Sequence, residues 1–283
     1  MKAKSLMVLR VMINHFHGGK HEMLSCLPED EQEGVNGLEL EEGNISIVTR
    51  QPWQKVDKIH YSWFLEPIKK ISDNLVPFVV ASLPESHRSK VAKHLGLSDL
   101  PEDLSDPIKH LLLDRLYDHM PIKGMLPLGL IQAQPLVELL DLSKSQLLDL
   151  IDCLGIFDVA GELKQVVDRQ QLAKLCDSLS KLQQGFLKEV IHDKDRWSPS
   201  KLGLDQWGGD IPRLRKALHV RGLMRLAKAL KDHDDDFMAH LFRRIDTGRA
   251  AQIQKYRTQD ETDQAVYNLG AEVKKAIHYI KNL

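Results

Sequence analysis

From about residue 56 onward the apolar residues recur at helical spacing, but only in short runs, each cut off by glycine, proline or aspartate. Trp63, Phe64, Ile68 and Ile71 make the first run, and Leu75 to Leu83 make a second, closed by Pro84. Val91 and Leu95 lead to Gly96 as a C-cap. Asp106 to His119 reads as a helix with Pro107 in its first turn and Leu111, Leu112 and Leu116 on one packed face. Farther on, Ser143 caps a helix that Gly155 should stop, Asp168 starts another through Leu182, and Phe186, Leu187 and Val190 mark a third. Ile211 to Leu218, Leu223 to Leu230, Phe237 to Ile245, Arg249 to Tyr256 and Glu261 to Ile280 complete the series. Helices this short cannot bury their apolar faces alone. They must stack on one another, which predicts an all-α fold of helical-repeat character.

Pro121, Gly124, Pro127, Gly129 and Pro135 interrupt the series, so 121–135 reads as a linker between a first helical unit, 56–120, and a C-terminal unit, 136–283. Residues 1–55 resemble neither. The apolar opening reads as a strand or a helix, and Pro28 to Gly43 reads as an acidic, glycine-rich loop. Asn44 to Thr49 alternates polar with β-branched residues, and pairing it with residues 6–13 would give a small N-terminal β-element.

Lys and Arg number 39 against 40 Asp and Glu, a net charge of −1, so no general attraction draws the chain to nucleic acid or to an anionic membrane. No apolar run approaches the length of a membrane span. Cys26, Cys153 and Cys176 are odd in number and far apart, a usage that fits a reducing, cytoplasmic compartment. No Gly-x-Ser-x-Gly elbow, phosphate loop or dinucleotide-binding glycine pattern occurs. The expectation is therefore a protein without enzymatic activity, cofactor, metal or small-molecule substrate. His15, His17 and His21 are spaced closely enough to share a metal ion, with only Cys26 or Glu22 as a further donor, but a solvated loop is the reading preferred. His233-Asp234-Asp235-Asp236 reads as a helix start, where aspartate caps the free amides and meets the positive end of the dipole.

The densest charge signal runs from Arg213 to Lys231. It holds Arg213, Arg215, Lys216, Arg221, Arg225, Lys228 and Lys231 and no acid. Leu214, Leu218, Leu223, Leu226 and Leu230 supply a buried face, so the cations should project outward, with Arg221, Arg225 and Lys228 lined up at i, i+4 and i+7. Arg215, Arg221, Arg225 and Lys228 are the expected docking residues for an acidic protein surface. Nucleic acid is disfavoured because no aromatic residues interleave with the cations. The acidic stretch from Glu29 to Glu42 makes self-association a further use of the same patch.

Two sets of segments carry a family resemblance. One is Ile59-His60-Tyr61-Ser62-Trp63-Phe64 with Val76 to Pro84 and Val91 to Leu95. The other is Leu223 to Lys231 with Phe237 to Arg244 and Arg249 to Ile253. The first resembles the middle domain and the second the C-terminal core of FliG, the flagellar motor switch family, whose domains are armadillo-like arrays of short helices. His60-Tyr61-Ser62 stands where that family has Glu-His-Pro-Gln. Gln254-Lys255-Tyr256-Arg257 stands where its torque helix has a pair of acids, which reverses the charge offered to a stator. The His60 to Trp63 run is also similar to a His-x-Ser-Trp segment of SctK-type accessory proteins of the type III secretion sorting platform.

The resemblance implies an armadillo-like body, with 56–120 like the FliG middle domain and 136–283 like the C-terminal one. It also implies a cytoplasmic protein, held at the inner face of a bacterial membrane through a protein partner, that binds other proteins of a membrane-associated secretion or motor complex. His60 and Trp63 join the docking residues on that reading. An adaptor of a type III secretion apparatus is the leading expectation, with a flagellar switch component and a nucleic-acid-binding helical repeat as rivals.

Overall fold

The computed structural model describes residues 3–18, 21–37, 56–120, 126, 131, 134–163, 168–193, 197, 201–259 and 262–282. Among these residues the fold is all-α, with thirteen α-helices and no strand. In chain order they are α1 (Ala3–His17), α2 (Glu29–Asn36), α3 (Ser62–Ile68), α4 (Val76–Ser82), α5 (Glu85–Leu95), α6 (Asp106–Asp118) and α7 (Lys144–Glu162). Then follow α8 (Arg169–Ser178), α9 (Lys181–Val190), α10 (Ile211–Ala229), α11 (Asp235–Arg244), α12 (Thr247–Arg257) and α13 (Asp263–Lys281). Residues 6–13 are helical within α1, which removes them as a strand partner; 44–49, and most of 121–135, lie outside the described residues. None of the helices among the described residues is long and apolar enough to cross a membrane.

The chain divides into two compact units, Met1–Ala133 with Asp235–Asp246, and Gln134–Asp234 with Thr247–Leu283. Helix α11 thus belongs to the first unit, although its neighbours in sequence belong to the second. The core of the first unit gathers Phe64, Ile68, Val79, Val80, Leu83 and Val91 around Leu113 and Leu116 of α6. The buried stripe of α6 is Leu113, Leu116 and the following Met120, so Leu111, expected on the packed face, points outward. His87 is enclosed in this core with both ring nitrogens satisfied: Nε2–H donates to the Ile59 carbonyl at 2.7 Å, and the Ser86 hydroxyl donates to Nδ1 at 2.7 Å.

The second unit is built around α7, which packs against α9, α10 and α13. Ser143 starts α7 with a reciprocal capping box to Gln146. Gly155, expected to end this helix, lies in its interior. A Cβ at Gly155 would sit 2.2 Å from the Leu218 carbonyl oxygen, and one at Gly222 would sit 1.7 Å from the Ile151 carbonyl oxygen. Two helix backbones touch there, and only hydrogen fits between them. The same contact explains why Ile211 to Leu218 and Leu223 to Leu230, expected as two helices, form the single α10. Asp168 caps α8 as expected, accepting from the Gln170 amide at 2.8 Å. Its helix ends at Ser178, however, and Ser180 opens α9 with a second capping box.

Candidate functional site

Helix α10 carries most of the residues that the sequence nominated for docking, and it divides into two electrostatic regimes. Asp210 starts it, accepting from the Arg213 amide at 3.0 Å, and Pro212 occupies the first turn, where a missing N–H costs nothing. Arg213, Arg215 and Lys216 are exposed, and the first turn contains no acid. Arg215 makes one long hydrogen bond, Nη2–H to the Ser178 carbonyl at 3.3 Å.

One turn further along, the surroundings close in. Beyond Gly222 the helix runs between α7, α12 and α13, so no side of it stays open. Arg221 is mostly covered, with its Nε 3.7 Å from Asp158. Arg225 is 1 % exposed and ion-paired with Asp158 of α7 and Glu272 of α13. Its guanidinium also donates to the Trp197 carbonyl at 2.9 Å and lies 5.5 Å from the Phe157 ring centroid and 5.2 Å from that of Trp197. Lys228 is 5 % exposed, with its ammonium 5.2 Å from the Trp197 ring. Burial pushes the Asp158 and Glu272 carboxyls up, against the opposing pull of the Arg225 guanidinium. Two acids and the cation between them therefore hold one another in a dry site.

Glu272, together with Glu162 of α7, also fastens the segment that joins α9 to α10. Glu272 Oε1 accepts from the Trp197 amide at 3.1 Å. Glu162 accepts from the amides of Leu202, Gly203 (2.9 Å) and Leu204 (3.1 Å), a run of N–H groups that the left-handed turn at Gly203 (φ 77°) aims at one carboxylate. Gln171 Nε2 donates to the Leu204 carbonyl at 2.8 Å from the other side. Through these bonds Glu272 and Glu162 tie the segment between α9 and α10 to α7 and α13.

The outward patch expected from the amphipathic pattern is therefore only half present. Arg215 is on the surface, Arg221 is largely covered, and Arg225 and Lys228 are interior. Arg225 pairs with Asp158 and Glu272, acids that the spacing within α10 does not reveal. A signal for Asp158 existed: it is a lone acid inside the apolar run Ile156-Phe157-Asp158-Val159-Ala160, where an unpaired carboxylate would be prohibitively costly.

In the first unit, His60 and Trp63 serve the end of α11. The His60 amide donates to the Arg243 carbonyl at 2.6 Å, and the Trp63 indole N–H is shared between the carbonyls of Phe242 (3.1 Å) and Ile245 (2.9 Å). These carbonyls belong to the last turn and its exit, where backbone donors run short; the Phe242 carbonyl also accepts from the Ile245 amide at 3.2 Å. At the opposite end of α11, Asp235 and Asp236 occupy the first turn as the acidic run predicted. Asp236 accepts from the Leu126 amide at 3.2 Å and His240 Nε2–H donates to the Leu126 carbonyl at 2.8 Å. Among the described residues no group of three or more His, Cys, Asp or Glu is arranged to hold a metal ion. Neither a family model, a curated protein nor a solved structure matches the chain.

Proposed function

We propose that the chain is a non-enzymatic, helical-repeat adaptor of a type III secretion apparatus, acting in the cytoplasm between a membrane-ring component and other platform proteins. The observation that carries the reading is the group Arg213, Arg215 and Lys216, exposed on the first two turns of α10. Cations at the positive end of a helix dipole oppose it by a few tenths of a kcal/mol each, roughly, so they do not serve the stability of the helix. An acidic protein surface supplies their use. The His60 to Trp63 run, by its likeness to the SctK-type segment, directs the reading toward secretion. The docking assignment moves from Arg225 and Lys228, which are interior, to these three.

The test is affinity purification of the full chain from its native cell, read by mass spectrometry, for the parent and for Arg213→Glu with Lys216→Glu. Secretion-platform proteins should accompany the parent and be lost from the variant, and added salt should weaken the parent's capture. Recovery of ribosomal or DNA-bound partners alone would refute the adaptor reading.

A further inference from the structure

In the first unit, helices α1 and α11 together hold one residue that belongs to neither. Leu126 lies in a stretch of sequence that Pro121, Gly124, Pro127 and Gly129 keep from reading as a helix, and a residue that precedes proline favours extended backbone. Both of its main-chain polar groups are met by side chains of α11: Asp236 Oδ1 accepts from its amide at 3.2 Å, and His240 Nε2–H donates to its carbonyl at 2.8 Å. Asp236 and His240 stand at i and i+4, so they share one side of that helix. The Leu126 side chain, 9 % exposed, packs with Met7 and Val11, at i and i+4 on α1, and with the partly buried Val8. These residues form a small apolar cluster of their own, separate from the main core around Phe64, Val80 and Leu116. An acceptor for the amide, a donor for the carbonyl and an apolar socket for the side chain are the elements by which a protein reads one residue of a bound peptide.

We propose that this is a peptide-docking pocket, in which Leu126 occupies the place of a leucine from an extended segment of a partner protein. The partner's leucine would enter the socket at Met7 and Val11, its amide would donate to Asp236, and its carbonyl would accept from His240. Leu126 itself displays the chemistry that the pocket accepts, an unbranched stretch of extended backbone carrying an apolar side chain. A second copy of the chain is a poorer occupant, because its Leu126 would make the same contacts without the tether, and a tethered segment competes at an effective concentration in the millimolar range, roughly. A partner has to outbind that tether, so Leu126 sets the threshold for docking. The inference rests on the adaptor reading only in taking the chain to bind proteins. Its failure would leave the α10 cations and their test untouched.

The probe is a fluorescent peptide of the chain's own residues 121–131, titrated into the full chain by anisotropy. Leu126→Asp, which expels the tethered side chain from the socket, should bind the peptide at least about tenfold more tightly than the parent does. Alanine in the peptide at the position of Leu126 should weaken binding to the variant by at least about tenfold. A methyl group on that leucine's amide nitrogen, which removes the donor to Asp236, should do the same. Should Leu126→Asp fail to fold, Leu126→Gly, which only withdraws the side chain, takes its place with the same expectation. Hydrogen exchange in the parent separates a displaceable occupant from a fixed piece of core: the Leu126 amide should exchange at least about a hundredfold faster than those of Val80 and Leu116. Exchange as slow as theirs, no gain in peptide binding when the socket is emptied, or indifference to the alanine and methyl changes would overturn the proposal. So would a dimer in sedimentation that Leu126→Asp abolishes, which would give the pocket to a second copy.

Discussion

The first half of α10 holds Arg213, Arg215 and Lys216 in water, whereas the second half holds Arg225 and Lys228 in the interior, although the two stretches read alike as leucine-spaced basic segments. The difference lies in what faces them. An enclosed guanidinium survives only where carboxylates reach it, and those of Arg225 come from residues 67 and 47 positions away in sequence. A cation's role is thus set by distant acids as much as by its own helix, and the same side-chain type is an internal tie in one turn and a surface charge in another.

The largest effect that could break this comparison is removal of the tie. Arg225→Met keeps an apolar stem but strands Asp158 and Glu272, and it should cost about 3–5 kcal/mol in urea unfolding, against less than about 0.5 kcal/mol for Arg213→Met. Next comes the helix crossing that encloses the second half. Gly222→Ala forces a methyl against the Ile151 carbonyl and should cost about 1–3 kcal/mol or more. Gly270→Ala in α13, where the methyl would meet nothing, should stabilise by about 0.5–1 kcal/mol. The opposite signs make the pair a sharp check.

The first unit offers a parallel: Trp63, which looked like a binding residue, is turned inward to cap α11. Trp63→Phe removes the indole donor from the Phe242 and Ile245 carbonyls and should cost about 1–2 kcal/mol, with faster hydrogen exchange at the C-terminal end of α11. A smaller effect concerns His233 of the second unit. Burial holds its imidazole below the usual histidine range, and the neighbouring Arg257 guanidinium adds to this. The unfolded chain then binds the proton more readily, so the stability tied to this group is present above about pH 6.5 and is lost as the pH falls below it. His233→Gln should flatten the decline of the unfolding midpoint between about pH 7 and pH 5.

The helical class and most helix starts were legible because they depend on local chemistry: Ser143 and Asp168 cap the helices they were expected to cap. Gly155 misled because a glycine that ends a helix and one that admits another backbone are the same letter; the distinction lies in a neighbouring helix. Arg225 and Lys228 misled similarly, since periodicity gives the side of a helix but not whether α7, α12 and α13 cover every side. Leu111 shows the converse, as one extra leucine in a leucine-rich turn hid which residues formed the packed stripe.

The central claim, that α10 changes from surface helix to interior helix along its length, is tested most directly by urea unfolding of two charge reversals measured side by side. Arg213→Glu with Lys216→Glu should stay within about 0.5 kcal/mol of the parent, or rise slightly, because acids favour the amino end of a helix. Arg225→Glu should lose more than about 3 kcal/mol or fail to fold, since it places three acids together without their cation. Similar losses in the two variants, or a loss confined to the first, would contradict the account.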